Sequence, residues 1–155
     1  ALYDSILLYR KAESDMETAA RLVPEEELDR EGKIYRQLCE LMQKEKVYKD
    51  TELNRDILSK RIGTNAVYIT NAVRKYADEA TVNEFINGYR LRHAASLLTN
   101  NPDLNINEVE YRSGFNSRAT FNRCFRAFFG MSPSEYKAVS KEKKKTQKDS
   151  SEERA

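Results

Sequence analysis

The amino-acid sequence predicts an all-α fold, with two helix–turn–helix subdomains joined by a long linker helix and an extra N-terminal helix. Apolar side chains recur three or four residues apart in several stretches, which is the spacing of a helix face that packs on a core. Ser, Thr or Asn precedes most of these stretches, in three places with Glu three residues later, as in a capping box. Gly or Pro stands near their ends, where helices stop.

The first part of the chain, residues 1–32, predicts a helical connector. Apolar residues at steps of three and four run through residues 1–23, and Pro24 with an acidic run interrupts them. Because the chain begins with Ala1, we expect a fragment or a processed protein whose upstream domain is missing. Two interpretations stay open: a dimerising or signal-carrying segment, and a helix that packs only in the full protein.

The next part predicts an amphipathic helix over Lys33–Lys46 and a first unit over about residues 53–77. In that unit, Asn54 suits the N-cap of a helix over Arg55–Ile62, and Gly63 makes a turn into a second helix. The apolar faces of these three helices consist of Ile34, Leu38, Leu41, Met42, Ile57, Leu58, Ile62, Ile69, Val73 and Tyr76.

A linker helix is predicted over about residues 81–99, because Thr81 and Glu84 have the spacing of a capping box and Pro102 stops the pattern. A second unit follows over about residues 105–130, and it begins with another capping-box pattern. The residues that mark its caps, turn and aromatic face are Asn105, Glu108, Gly114, Ser117, Phe121, Phe125, and Phe128 or Phe129.

The two units form a faint internal repeat. A shift of 52 residues relates their second helices and a shift of 51 their first helices, so the second turn is one residue longer. The aligned pairs are Asn65 and Ser117, Ile69 and Phe121, Val73 and Phe125, Arg74 and Arg126, Tyr76 and Phe128, Leu58 and Val109, and Gly63 and Gly114. Two unrelated amphipathic helices would also produce such a pattern.

The exposed face of the second helix in each unit is the predicted functional surface. In the second unit, Arg and Asn side chains lie near the start of that helix, and these side chains pair bidentately with guanine and adenine. A helix–turn–helix of this kind matches the geometry of major-groove reading. On spacing alone, a small helical bundle with a solvated basic face is the alternative.

The run from Gly114 to Tyr136 resembles the C-terminal signature of the arabinose-regulator (AraC/XylS-type) transcription factors. The residues that carry the resemblance are Gly114, Phe115, Ser117, Phe121, Arg123, Phe125, Arg126, Gly130, Ser132, Pro133 and Tyr136. It covers roughly Lys33–Val139, which it implies is an all-helical domain with two helix–turn–helix units and a rigid linker. It further implies sequence-specific binding of double-stranded promoter DNA in a bacterial transcription regulator.

The linker length agrees with two-point recognition by one monomer. About 18 residues at ~1.5 Å each make a rod of roughly 27 Å. Recognition helices that enter successive major grooves lie about 34 Å apart. Such a rod, together with the width of each unit, is long enough for that separation, although the same helix would also serve core packing alone.

The resemblance and the exposed helix faces together predict the contacts. The predicted base contacts are Ala66, Val67, Thr70, Asn71, Arg118, Ala119, Asn122 and Arg123. The predicted phosphate contacts are Lys60, Asn65, Arg74, Lys75, Ser117 and Arg126. The base contacts predicted in the first unit are less polar than those in the second, which indicates that the first unit reads mainly A·T-containing sequence or contributes little specificity. For any single Lys or Arg, plain solvation is the alternative.

Glu110 departs from the family pattern, because relatives usually carry a small Ala at this position. A carboxylate is costly if it is buried. We therefore expect Glu110 to reach solvent or to pair with a basic side chain such as that of Arg112. The departure places the usual docking of the second unit in question.

Charge and composition agree with this interpretation without deciding it. Residues 33–139 carry 17 basic and 12 acidic side chains, a net charge of +5, whereas the whole chain has +2. Residues 140–155, rich in Lys, Ser and Glu, predict a disordered tail. Two cysteines without a short spacing predict buried thiols, and no metal ligand set is predicted. The sequence shows no nucleophile–base pair and no phosphate loop, so we expect no enzyme activity and no cofactor.

The expected partners are promoter DNA, RNA polymerase, and a second copy through residues 1–23 or the missing upstream domain. No small-molecule site is evident. We expect the DNA-binding part in the cytoplasm, with a membrane tether through a missing upstream segment left open. The rival hypothesis is a helical protein–protein interaction module that has lost DNA binding.

Overall fold

The computed structural model describes residues 23–77 and 81–154, and within these residues the protein contains helices and no strand. The helices are α1 (Arg30–Glu40), α2 (Arg55–Ile62), α3 (Ala66–Tyr76), α4 (Val82–Asn100), α5 (Ile106–Arg112), α6 (Arg118–Phe129) and α7 (Pro133–Glu152). Short 3₁₀ turns lie at Glu25–Glu27 and Val47–Lys49. The described chain divides into two compact units between Asn87 and Gly88. The all-helical prediction is confirmed.

No helix in the described ranges combines the length and the apolarity that crossing a bilayer requires. The helix predicted over residues 1–23 lies almost wholly outside the described residues, and so does the junction between α3 and α4 at residues 78–80.

In the first unit, α1 packs against α3 and closes the core over the helix–turn–helix. Helix α1 begins at Arg30, not at Lys33, because the side chain of Asp29 accepts a hydrogen bond from Gly32 N at 2.7 Å and caps the helix. It ends at Glu40 and continues as one π-helical turn, Leu41–Glu45. The single helix predicted over Lys33–Lys46 is therefore divided, and the domain boundary predicted at residue 33 falls inside α1.

The predicted caps of the first helix–turn–helix are confirmed. Asn54 Oδ1 accepts from Ile57 N at 2.9 Å, and Asn65 Oδ1 accepts from Val67 N at 2.9 Å. Between the two helices, Gly63 has φ 78°, a left-handed conformation that costs glycine little and most other residues more. Each backbone turn is therefore specified by a local residue choice.

The predicted helix caps and glycine turns are also present in the second unit and at the start of the linker helix. Asn105 and Glu108 form the predicted capping box of α5, with hydrogen bonds of 2.9 and 3.1 Å. Gly114 has φ 99° in the turn, and Gly130 has φ 73° at the end of α6. The reciprocal bonds between Thr81 and Glu84, both 3.1 Å, likewise confirm the predicted start of the linker helix.

The internal repeat holds in the environments of its aligned residues. Leu58 and Val109 are both fully buried on the first helices of their units. Both glycines of the turns have positive φ. Of the other aligned residues of the apolar stripe, Ile69 and Phe121 are fully buried, and so are Val73 and Phe125, whereas Tyr76 and Phe128 are half-buried. The sequence repeat thus corresponds to one supersecondary structure built twice.

The disordered tail predicted over residues 140–155 differs from the structure, in which α7 continues to Glu152. A capping box between Ser132 and Glu135 starts this helix, and its Lys, Glu and Gln residues are good helix formers. Two lysines also anchor it: Lys137 Nζ donates to Leu104 O at 2.7 Å, and Lys144 Nζ donates to Thr99 O. The prediction of disorder rested on composition, which counts these lysines only as charges and takes no account of the hydrogen bonds that they form.

Candidate nucleic-acid interface

Helix α6 presents an aromatic face to the core and a polar face to solvent. Phe121, Phe125 and Phe129 are all buried. The predicted base contacts stand at positions i, i+1, i+4 and i+5, which share the other side of a helix. All four of them are exposed: Arg118, Ala119, Asn122 and Arg123.

Aromatic packing fixes the direction of this polar face. The ring of Phe125 lies 4.6 Å from that of Phe129 and 5.5 Å from that of Tyr136 on α7, measured between centroids. The ring of Phe115, in the preceding turn, lies 5.1 Å from that of Phe121. Rings at these distances attract one another beyond their burial. Helix α6 is therefore held along its length by α7 and by the turn.

Helix α3 repeats this arrangement with smaller side chains. Ile69, Ala72 and Val73 are fully buried. On the opposite face, the apolar side chain of Val67 is 58% exposed. The predicted base contacts of this helix share that face: Ala66 and Thr70 are half-buried, and Val67 and Asn71 are exposed.

Arg55 joins this face although the sequence analysis did not select it. Its Nη1 atom donates to Thr70 Oγ1 at 3.5 Å, and Thr70 Oγ1 in turn donates to Ala66 O at 3.3 Å. Arg55 is the first residue of α2, directly after the N-cap. The sequence carried a signal for this contact, because a basic residue stands here at the start of the helix that leads through the turn into α3.

Helix α3 is tied to the N-cap and the first residue of α1. The carboxylate of Asp29 accepts hydrogen bonds from Tyr76 Oη at 2.6 Å and from Lys75 Nζ. The guanidinium of Arg30 lies 4.8 Å from the centroid of the Tyr68 ring. Lys75, a predicted phosphate contact, is thus already paired, which the sequence did not reveal.

The pKa values in this cluster reflect its hydrogen bonds. Those from Lys75, Tyr76 and the Gly32 backbone lower the pKa of the Asp29 carboxyl to about 2. The hydrogen bond to Asp29 raises the pKa of Lys75 and that of Tyr76. A Cβ at Gly32 would lie 3.0 Å from both Asp29 Oδ1 and Tyr76 Oη, so a larger residue here would require these side chains to shift.

Glu110 pairs with Arg118, whereas the sequence analysis gave Arg112 as an example of its partner. Glu110 Oε2 accepts from Arg118 Nε at 2.5 Å. The Glu110 side chain is only 14% exposed and that of Arg118 is 44% exposed. Arg112 stands two residues away on the same helix, and residues at that spacing do not face each other. A predicted base-contacting arginine therefore carries a carboxylate partner.

The remaining predicted phosphate contacts lie around the two reading faces. Lys60 and Arg126 are exposed near the ends of α2 and α6, and Arg74 is exposed one turn beyond Asn71. Asn65 and Ser117 act as N-caps, Ser117 Oγ accepting from Thr120 N at 3.3 Å. Each unit thus carries exposed basic side chains and a capped helix N-terminus, the groups that proteins use to hold DNA phosphates.

Across the part of the chain that the structure describes, no three His, Cys, Asp or Glu side chains are grouped as a metal site would need. Cys39 and Cys124 are half-buried and are not joined in a disulfide. Two consecutive helix–turn–helix units, each with a second helix that buries one face and exposes the other, define a DNA-binding domain of the double helix–turn–helix class.

Comparison with known proteins agrees with this class. A family model described as a helix-turn-helix domain matches residues 58–138, more than half of the chain. The chain belongs to this AraC-type helix–turn–helix family, a family of DNA-binding domains in transcription regulation. The matched region begins within α2 and ends within α7, so it contains both reading helices.

The relatives are longer proteins. Histidine kinase P4 of Formosa agariphila is 35% identical over 95 residues, which are 59% of this chain and 7% of that protein. The melibiose operon regulatory protein of Escherichia coli is 26% identical over 97 residues, which are 63% of this chain and 32% of that protein. The chain therefore spans less than a third of either relative, and its match to the kinase covers only the helix–turn–helix region.

Solved structures share the fold. The C-terminal domain of AraT, a response regulator from Geobacillus stearothermophilus, superposes with a TM-score of 0.63 at 22% identity, covering 72% of this chain and 88% of that domain. A DNA-binding transcriptional dual regulator from Escherichia coli K-12 gives a TM-score of 0.59 at 18% identity, covering 70% of this chain and 93% of that structure.

Proposed function

We propose that this chain binds specific double-stranded DNA as part of a bacterial transcription regulator, and that it inserts α3 and α6 into successive major grooves. The observation that carries the proposal is the repeated design of these helices. Each has a buried apolar face and an exposed face that carries an Asn, Asn71 in the middle of α3 and Asn122 in the second turn of α6. Asn pairs bidentately with the N6 and N7 atoms of adenine.

The chemistry of the two faces supports different sequence preferences. On α6, Arg118 and Arg123 suit guanine and Asn122 suits adenine, with Ala119 beside them as an apolar contact. On α3, the side chains of Ala66, Val67 and Thr70 suit thymine methyl groups, and Asn71 suits adenine. The proposal therefore assigns A·T-containing sequence to the first half of the site and mixed sequence to the second.

The length of α4 supports the proposed two-groove arrangement. This helix is one continuous element of 19 residues. At ~1.5 Å per residue it extends roughly 28 Å. Successive major grooves on one face of DNA are about 34 Å apart. The phosphate contacts proposed beside the two grooves are Lys60, Asn65, Arg74, Lys75, Ser117 and Arg126.

Other parts of the proposal concern the whole protein. The regulator relatives and the expected promoter target favour RNA polymerase as a partner, and a DNA ligand favours a cytoplasmic location. Self-association through residues 1–23 or an upstream domain remains proposed. Sedimentation of this chain beside one that starts at Val23 tests the first of these routes. A monomer in both cases would remove residues 1–23 as a dimer interface.

Salt-dependent binding tests the DNA proposal against the rival interaction module. We expect affinity for promoter-length duplex DNA to fall steeply as salt rises, because bound lysines and arginines release counterions from DNA. Asn71→Ala and Asn122→Ala should each reduce preference for the selected site by about 1–3 kcal/mol, in different halves of it. Asn83→Ala, an exposed asparagine outside both reading helices, is the control. Absence of binding at low salt would favour the interaction module.

A further inference from the structure

We propose that Glu110 is a specificity-determining residue. It positions Arg118 for one guanine, and it weakens binding to DNA that lacks this guanine. The inference rests on the proposed DNA-binding function and deepens it. It follows from a contact between the helix that supports the second reading helix and the first residue of that reading helix. Glu110 touches no base in this account and acts through Arg118.

The pair is built into the fold on the Glu110 side. The Glu110 side chain is 14% exposed, and a carboxylate with so little access to water needs a charged or hydrogen-bonding partner. Arg118 supplies that partner through Nε, at 2.5 Å from Glu110 Oε2. Because the carboxylate is shielded on α5, the arginine is the member of the pair that adapts.

The backbone of Glu110 is held as well. Its carbonyl oxygen accepts a hydrogen bond from Ser113 Oγ at 3.0 Å and another from Phe115 N at 3.1 Å. Ser113 itself is fully buried, and its hydroxyl also lies 2.6 Å from Val109 O. The backbone of Glu110, near the end of α5, is therefore fixed by hydrogen bonds from the turn that follows, so its carboxylate offers Arg118 a rigid anchor.

The geometry of a guanidinium explains why such an anchor favours guanine. Arginine carries five N–H donors in a planar fork. In Arg118 the Nε donor is used by Glu110, and among the described residues no hydrogen bond from its Nη atoms is found. The two Nη atoms can therefore donate to guanine O6 and N7 together. Because Glu110 holds Arg118 at Nε, the two Nη donors lose less conformational freedom when they bind guanine.

The charge of Glu110 acts in the same direction. An unpaired arginine at the start of α6 would attract any DNA phosphate, whatever the sequence. With Glu110 the pair has no net charge, so this attraction is reduced for all sequences. When Arg118 meets guanine, the fork-shaped contact restores the affinity. Glu110 thus lowers binding to random DNA more than binding to the correct site.

The test compares base preference and non-specific affinity in matched variants. Glu110→Ala should reduce the preference for one guanine about tenfold, and it should tighten binding to random duplex DNA with a salt dependence steeper by about one ion. Glu110→Gln, which keeps an acceptor oxygen, should retain part of the guanine preference. Arg118→Ala should remove the preference at that same base pair, and adding Glu110→Ala to it should remove no more.

Glu40→Ala is the control for charge alone. It changes the net charge by the same amount, and Glu40 is 55% exposed and paired only with the exposed Lys44 at 3.9 Å. Base preference at every position should be unchanged in this variant. If it tightened binding to random DNA as much as Glu110→Ala does, the proposed charge effect of Glu110 would be overturned.

The outcomes separate this inference from the function on which it rests. If the unaltered chain shows no salt-dependent DNA binding, the proposed function fails. If it binds and Glu110→Ala and Glu110→Gln keep full guanine preference, the positioning role of Glu110 fails and the function stands. The same holds if Arg118→Ala changes preference at no position. Circular dichroism identifies a variant that is unfolded, and Glu110→Gln, which is isosteric, then decides the result.

Discussion

Phe125 should be among the most important residues for the stability of the second unit. Its side chain has no exposed surface, and its ring contacts those of Phe121, Phe129 and Tyr136 at centroid distances of 5.7, 4.6 and 5.5 Å. Truncation of a buried Phe to Ala costs roughly 3–5 kcal/mol. Because three aromatic partners are lost together, at about 0.5–1.5 kcal/mol each beyond burial, we expect Phe125→Ala in the upper part of that range.

Two other truncations calibrate this value. Val73→Ala, at the equivalent position of the first unit, removes two buried methyl groups and should cost about 1–3 kcal/mol. Tyr111→Ala removes a side chain that is 75% exposed. It should change stability by less than about 0.5 kcal/mol. Urea unfolding, followed by far-UV circular dichroism and extrapolated linearly to water, measures all three.

The reasoning would be refuted if Phe125→Ala cost less than about 1 kcal/mol, or no more than Tyr111→Ala. If Phe125→Ala fails to fold, Phe125→Leu keeps the test intact, because leucine retains most of the apolar volume and should cost clearly less than truncation to alanine. If Phe125→Leu also failed to fold, apolar packing alone would not explain the role of Phe125, and the position would require an aromatic ring.

Three further predictions concern the first unit and use the same unfolding assay. The folded-state pKa of Asp29, about 2, lies below its ordinary 3.8, so its carboxylate stabilises the fold above about pH 4 and loses this effect towards pH 2. Asp29→Asn should therefore flatten the stability profile between these pH values. An unchanged profile would contradict the assignment. Gly63→Ala should cost about 1–2 kcal/mol through its backbone conformation alone, since φ is 78° and a Cβ meets nothing within 4 Å, and Gly63→Asn should cost less. Gly32→Ala should destabilise although Ala is the better helix former, because its Cβ would lie 3.0 Å from two oxygen atoms; a stabilised variant would show that the cluster can move aside.

Local patterns predicted most of the helices because the signals that start and end a helix act within a few residues. Asn54 and Ser117 cap the helices that directly follow them, and Gly63 and Gly130 stand at left-handed turns, as their positions in the sequence predicted. Each of these residues satisfies the backbone of its own neighbours, so no knowledge of the tertiary structure was needed.

Contacts between distant residues were not predictable in this way. Asp29 lies 46 residues before Lys75 in the sequence, and only the packing of α1 on α3 brings them together. Glu110 reaches Arg118 across a turn, because the turn reverses the chain and places the start of α6 beside α5. The helix that continues beyond residue 140 depends in part on Lys144, which bonds to the carbonyl of Thr99. In each case the deciding partner belongs to another helix, so the cap and turn signals of a single helix do not reveal it.

Selection of bound sequences from a random DNA pool tests the central claim most directly. The account predicts two half-sites whose centres lie about 10–10.5 base pairs apart, one helical turn. One half should be rich in A·T pairs and sensitive to Asn71→Ala, and the other should contain the guanine and adenine read by Arg118 and Asn122. Enrichment of a single half-site, or of no sequence at all, would contradict two-point recognition by this chain.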